Sequence, residues 1–69
     1  WKTAVSDLVS GDMIFFTGGD GSAAAPGHVG IYLGDNLMVN APSSGNPVSV
    51  DDVGPGSYWS SSFVGGGHV

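Results

Sequence analysis

The chain has 69 residues, no cysteine, six aspartates and a single basic residue, Lys2, which give it a formal net charge of −5. Its length allows one domain at most, and without cysteine it holds no disulfide, thiolate metal ligand or cysteine nucleophile. The basic surface that nucleic acids and anionic membranes require is missing, and no apolar run is long enough to span a bilayer.

The predicted elements in chain order are those of a small β domain. A lead-in over 1–12 ends at a Ser-Gly-Asp turn, and the aromatic-rich run 13–17 is predicted to be the first strand. The glycine-rich segment 18–27 is predicted to be a connecting loop. Further strands are predicted over 29–33, 37–41, 48–50 and 61–69. Since no segment has a usable helical period, we expect a mainly β fold, a curled antiparallel sheet of about five strands with a core shared by Phe15, Ile31, Leu33, Met38, Val50 and Phe63.

The stretch 28–42 is the main candidate for a functional site, because folding into a hairpin brings the side chains of His28 and Asn40 together. An Asn carbonyl oxygen can accept the proton of one imidazole nitrogen and leave the other nitrogen as a base. If the loop comprises 34–36, Gly30 lies opposite Asn40. His28 is then the diagonal neighbour of Asn40 on the same face, about 7–8 Å away at Cα. A two- or four-residue loop puts the two side chains on opposite faces, and the spacing alone also allows His28 simply to begin a strand and Asn40 a turn.

Other polar and aromatic residues are weaker candidates for a site. Serine, histidine and aspartate are all present, but the Gly-x-Ser-x-Gly turn of serine hydrolases is not. Asp51 and Asp52 lie in a predicted turn and are expected to be solvated, and His68 is expected at the surface. Tyr58 and Trp59 either belong to the core or line a groove, and we expect the core.

The small size of the predicted core suggests that something else completes it. Two histidines and six aspartates without ligand spacing do not predict a zinc site, and nothing in the sequence requires a cofactor. The usual supports of a small domain are therefore missing. A partner segment or a missing part of the same domain is expected, and the abrupt start at Trp1, without Met or a signal-like segment, suggests a fragment or a processed product.

Several motifs in succession resemble a known family. The order SGDMIFF, GHVGIYLG, LMVNAPSSG, VSV and SSFVGGGHV is similar to the C-terminal half of the NlpC/P60 cell-wall peptidases over about 9–69. Those are papain-like cysteine peptidases that hydrolyse peptidoglycan stem peptides, typically between D-glutamate and the diamino acid. The resemblance implies that 13–69 is the sheet half of an α+β papain-like NlpC/P60 domain, preceded by the lead-in 1–12. It also implies a bacterial protein that is secreted or associated with the cell wall.

The resemblance assigns roles to two residues. His28 matches the catalytic histidine, and Asn40 matches the position where the family uses His, Asn or Gln to orient the imidazole ring. Their separation, 40 − 28 = 12, agrees with the family pattern and implies the productive hairpin register. The resemblance implies no metal or other cofactor, and it leaves the substrate-binding residues unassigned.

The chain departs from the family where the nucleophile should be. The family's cysteine lies in an Asp-Cys-Ser-Gly-like motif at the start of a helix upstream of the first strand, and this chain has neither. The last strand often carries basic residues in the family but here reads GGGHV. We therefore expect the chain alone to be inactive and to need a complementary helical segment that carries the cysteine, with the stem peptide as substrate. The alternatives are a non-catalytic peptidoglycan- or protein-binding module with a groove near His28, Tyr58 and Trp59, and a structural fragment with an exposed sheet face.

Overall fold

A computed structural model describes residues 1–17, 27–41 and 47–68. Five strands form one antiparallel sheet in the order β4-β3-β2-β1-β5, which confirms the predicted mainly β fold. They are β1 (Met13–Phe16), β2 (His28–Gly34), β3 (Leu37–Asn40), β4 (Ser49–Asp52) and β5 (Phe63–Gly67). In the described ranges the helices are single 3₁₀ turns, Val5–Asp7 and Ser60–Ser62, and none is long and apolar enough to cross a membrane.

Each predicted strand is found, with shifted ends. Strand β4 extends to Asp52, so the Asp51-Asp52 pair lies in a strand and the prediction of a turn there was wrong. The last strand begins only at Phe63, because the serines before it form a 3₁₀ turn. Most of the loop predicted over 18–27 lies outside the described residues, as does the end of the last predicted strand at Val69.

The β2–β3 hairpin combines a tight turn with an extra residue. Asp35 and Asn36 both have positive φ angles, 54° and 63°, as a two-residue connection between twisted strands requires. Gly34 pairs with Leu37, but the register shifts before it, so Leu33 is an extra residue in β2. Because of this extra residue, the β2 side chains that precede it point to the opposite face from the one that a regular two-residue hairpin would give them. The two-residue turn therefore sets His28 and Asn40 on the same face, an arrangement that we predicted only for a three-residue loop.

The core lies on one face of the sheet, here called the core face. Its buried apolar side chains are Leu8, Ile14, Phe16, Tyr32, Met38 and Val53. Of the predicted core, Met38 is confirmed and Phe63 is partly buried against it, whereas Ile31, Leu33 and Val50 are exposed. Phe15 is half-buried and stacks on Trp1 with ring centroids 5.6 Å apart. The prediction failed because β1, β2 and β3 carry apolar residues on both faces, so alternation did not reveal which set is buried.

The opposite face is apolar and open among the described residues. Val29, Ile31, Val39 and Val50 share this outer face with Phe15, as the pairing of Phe15 with Val29, Ile31 with Val39 and Val39 with Val50 shows. A shallow groove of about 290 Å³ runs along it, lined mainly by apolar side chains. An exposed apolar surface of this kind is typical of an interaction site.

An ion pair between the partly exposed Lys2 and the buried Asp12 ties the N-terminal segment to the sheet. The Lys2 ammonium donates to Asp12 Oδ2 at 2.8 Å, and the Val9 N–H donates to the same oxygen at 2.9 Å. Lys2 also forms a β-bridge with Gly66 of β5. These hydrogen bonds and the charge of Lys2 hold the pKa of the Asp12 carboxyl below its ordinary value of 3.8, although burial opposes the shift. Asp12 thereby links the lead-in to the start of β1.

Candidate functional site

Strands β2 and β3 bring His28 and Asn40 together. Ile31 pairs with Val39, and continuing this register sets Gly30 opposite Asn40. His28 is then the diagonal neighbour of Asn40 on the core face, which is the arrangement predicted for a loop comprising 34–36. The Nε2 atom of His28 lies 2.7 Å from Oδ1 of Asn40. The structure therefore joins by a hydrogen bond the two residues that the sequence singled out.

Gly30 lies opposite Asn40 and leaves room for the Asn40 and Met38 side chains. A Cβ atom placed there would lie 2.7 Å from Sδ of Met38 and 3.3 Å from Cβ of Asn40. Glycine in a strand interior often marks such a close approach. Because Gly30 leaves this space free, Asn40 and the buried Met38 pack against the β2 backbone.

Asn40 has a second partner that sequence reasoning missed. Its Nδ2 donates to Oδ2 of Asp51 at 2.7 Å and, more weakly, to the Ser49 carbonyl oxygen at 3.4 Å. Ser49 Oγ donates to the same Asp51 oxygen at 2.9 Å. The expectation that Asp51 is a solvated turn residue was wrong, because β4 pairs Ser49 with Asn40 and Asp51 with Met38. The sequence did contain one sign of this contact: Ser49 and Asp51 are two residues apart, so both point to the same face if the segment is a strand.

An aromatic side chain covers the imidazole. Trp59 lies against His28 with ring centroids 4.8 Å apart and an interplanar angle of 11°. Phe16 lies behind both rings, with its centroid 5.0 Å from Trp59 and 6.0 Å from His28. Trp59 therefore packs on the core, as predicted, whereas Tyr58 is 84% exposed and the prediction for it was wrong.

The arrangement provides an oriented imidazole on a rigid sheet. One ring nitrogen of His28 is engaged by Asn40, and stacking on Trp59 restricts rotation of the ring. A histidine held in this way can act as a general base if a nucleophile approaches its other nitrogen. His68 is exposed, and within the described ranges no three His, Cys, Asp or Glu side chains converge as a metal ion would require.

Comparison with known proteins identifies the family to which the chain belongs. Residues 2–68 match the sequence model of the NlpC/P60 family. The chain belongs to the NlpC/P60 family. This assignment covers nearly the whole chain.

Individual relatives carry endopeptidase names. This NlpC/P60 chain is 41% identical over 68 residues to a probable endopeptidase p60 of Listeria seeligeri, covering 99% of the chain and 12% of the relative. It is 39% identical over 62 residues to the peptidoglycan DL-endopeptidase CwlO of Bacillus licheniformis, covering 90% of the chain and 12% of the relative. The bifunctional muramidase/DL-endopeptidase CwlT of Bacillus subtilis is 35% identical over 68 residues, or 99% of the chain and 20% of that protein. The chain thus spans between 12% and 20% of the length of these relatives.

Proposed function

We propose that this chain is the β-sheet half of a bacterial cysteine endopeptidase that cleaves peptidoglycan stem peptides. His28 is the general base and Asn40 orients it. The observation that carries the proposal is the 2.7 Å hydrogen bond between His28 Nε2 and Asn40 Oδ1 in a chain that belongs to the NlpC/P60 family. The names of the relatives, among them peptidoglycan DL-endopeptidase and gamma-DL-glutamyl hydrolase, support a stem-peptide substrate with a D-glutamyl bond.

The nucleophile comes from outside this chain, which has no cysteine. In the proposed reaction His28 takes the thiol proton, and the thiolate attacks the carbonyl carbon of the scissile bond. The tetrahedral intermediate collapses to a thioester while His28 gives the proton to the departing amine. Water, deprotonated by His28, then attacks the thioester and releases the acid and the thiol.

The outer face is the proposed contact for a further segment of the complete enzyme. Val29, Ile31 and Val50 expose apolar surface there, whereas the ring of His28 lies on the core face. A segment packed across the outer face buries that surface and adds to a domain whose core is small. The helical segment that carries the cysteine approaches His28 from the side of the core face. We place the assembled enzyme outside the cell or at the wall, where its proposed substrate lies.

Digestion of purified peptidoglycan tests the proposal. The full-length protein that contains this chain is expected to release stem-peptide fragments with a new amino terminus on the diamino acid, identified by mass spectrometry. The same protein with His28→Ala, and the 69-residue chain by itself, are expected to release none. Normal cleavage by the His28→Ala protein would overturn the assignment, and binding of stem peptide without cleavage by the full-length protein would favour a binding module instead.

A further inference from the structure

The orientation of the Asn40 amide decides which nitrogen of His28 carries the proton. An amide oxygen accepts hydrogen bonds, whereas an amide nitrogen donates them. With Oδ1 of Asn40 facing Nε2 at 2.7 Å, the neutral imidazole must donate from Nε2, and Nδ1 keeps its free lone pair. A half-turn of the amide would present Nδ2 to Nε2 instead and would move the ring proton to Nδ1.

Asp51 separates these two orientations. Its Oδ2 lies 2.7 Å from Nδ2 of Asn40, and a carboxylate only accepts hydrogen bonds, so this contact forms only when the amide nitrogen points away from His28. The Ser49 carbonyl oxygen, 3.4 Å from the same nitrogen, is a second acceptor on that side. In the rotated amide Oδ1 would face two acceptors. Asn40 is only 5% exposed, so water would not compensate for the lost hydrogen bonds.

The position of the carboxylate is itself fixed by the sheet. Asp51 lies opposite Met38 in the β3–β4 register, and Ser49 lies opposite Asn40. The Ser49 hydroxyl donates to Asp51 Oδ2 at 2.9 Å and so orients the carboxylate from the same strand. The hydrogen bonds therefore run in series from Ser49 through Asp51 and Asn40 to His28.

We infer that Asp51 is a positioning residue: its carboxylate fixes the amide of Asn40 and thereby holds His28 in the Nε2–H tautomer, with Nδ1 as the base. The inference rests on the proposed catalytic role of His28 and extends it to a residue that acts through Asn40. It predicts that the nucleophile approaches Nδ1. It also explains why a carboxylate lies on the core face of an edge strand.

The tautomer can be read directly in the full-length protein that contains this chain. Two-bond ¹H–¹⁵N correlation spectra, recorded at a pH where the ring is neutral, distinguish a protonated from an unprotonated ring nitrogen. We expect His28 to be wholly Nε2–H, with the exposed His68 as an internal reference for a ring that samples both forms. In Asp51→Ala we expect the Nδ1–H form of His28 to appear, together with shifted side-chain amide signals of Asn40.

Three further variants make the result specific. Asp51→Asn loses the negative charge but keeps an oxygen that can accept a hydrogen bond from Asn40, and we expect His28 to stay in the Nε2–H form. Such a result would show that the acceptor, and not the charge, fixes the tautomer. Asp52→Asn removes the same charge one residue along β4 and is expected to leave the tautomer unchanged. Asp51→Val, a better strand former without an acceptor, repeats the test if the alanine variant does not fold.

Activity of the full-length protein distinguishes the positioning role of Asp51 from the proposed catalytic role of His28. Asp51→Ala is expected to lower kcat by about ten- to a hundredfold with little change in KM, as misplacement of a reacting group does, and Asp51→Asn is expected to lose less. A wild-type tautomer and unchanged Asn40 amide signals in folded Asp51→Ala or Asp51→Val would overturn the role of Asp51 even if His28→Ala is inactive. Full activity of His28→Ala would instead overturn the proposed function, while the tautomer measurement would still stand.

Discussion

The indole of Trp59 lies nearly parallel to the imidazole of His28, with ring centroids 4.8 Å apart, although the two residues belong to segments that are not neighbours in the sheet. Strand β1 lies between β2 and β5, and its Phe16 contacts both rings from the core face. The turn before β5 thus folds over the start of β2. The stacked pair couples the packing of the core to the orientation of the proposed base.

Replacing Trp59 by alanine should weaken both the core and the orientation of His28. Because Trp59 is only partly buried, we expect the free energy of unfolding to fall by about 2–3 kcal/mol, less than for a fully buried tryptophan, measured by urea unfolding. The ring protons of His28 should lose the upfield NMR shift that the indole causes. Ser61→Ala, at an exposed residue of the same turn, is the control and should change stability by less than about 0.5 kcal/mol. Equal effects of the two substitutions would contradict the stacking seen here.

The two residues joined by the central hydrogen bond should differ in their effect on catalysis. His28→Ala removes the proposed base and should reduce kcat of the full-length protein by about 10⁴-fold. Asn40→Ala leaves the base in place but unoriented, and we expect a smaller loss of about a hundredfold. Steady-state kinetics on a stem peptide measure both. A larger loss for Asn40→Ala than for His28→Ala would show that Asn40 does more than orient the ring.

Asp12 should make the stability of the chain depend on acid pH. The lowered pKa means that the folded carboxyl stays ionised at a pH where the unfolded one has already taken up a proton. Its contribution is therefore complete above the ordinary value of 3.8 and is lost as the pH falls through the folded value. Thermal unfolding between neutral and acid pH should show a shallower decline for Asp12→Asn, starting from lower stability at neutral pH. Asp7→Asn, at an exposed position, should keep the slope of the wild type.

A methyl group at Gly30 should disturb the site through its packing. In Gly30→Ala the new Cβ would meet Met38 and Asn40 at distances that require one of them to move. We expect a loss of about 1–3 kcal/mol in the free energy of unfolding and a shifted Asn40 side-chain amide in the NMR spectrum. Gly67→Ala is a matched control in β5, since its nearest neighbour would lie at an ordinary 3.8 Å. An unchanged Asn40 signal in Gly30→Ala would mean that the close approach does not define the site.

The outer face should matter more to the assembled enzyme than to this chain. Ile31 is 40% exposed, so Ile31→Thr, which keeps strand preference, should change the unfolding free energy of the isolated chain by no more than about 1 kcal/mol. In the full-length protein the same substitution should lower the melting temperature clearly, because the contact with the segment that covers this face is weakened. Val9→Thr, at an exposed position outside the sheet, should leave both unchanged. An unaffected full-length protein would show that no further segment packs on this face.

Local sequence features were sufficient for the strands, whereas the pair of His28 and Asn40 was assigned through the family resemblance. Runs of β-forming residues between glycine-rich turns predicted five strands, and the resemblance to NlpC/P60 peptidases marked His28 and Asn40. The structure adds the hydrogen bond between them, while their catalytic roles remain predictions. The contribution of Asp51 was not foreseen, because its value depends on how β4 pairs with β3. Trp59 was assigned to the core, but its contact with His28 depends on a turn whose path the sequence does not specify.

Composition and pattern by themselves determined that this chain is a small, acidic β-sheet without cysteine, since residue types and alternation are local properties. Only the tertiary structure decided which face of the sheet is buried, because apolar residues occupy both faces of β1, β2 and β3. It also decided that Leu33 is an extra residue in β2, which sets His28 and Asn40 on one face despite a two-residue turn. The register of a strand pair arises from all its contacts together, and a shift of one residue reverses every side chain.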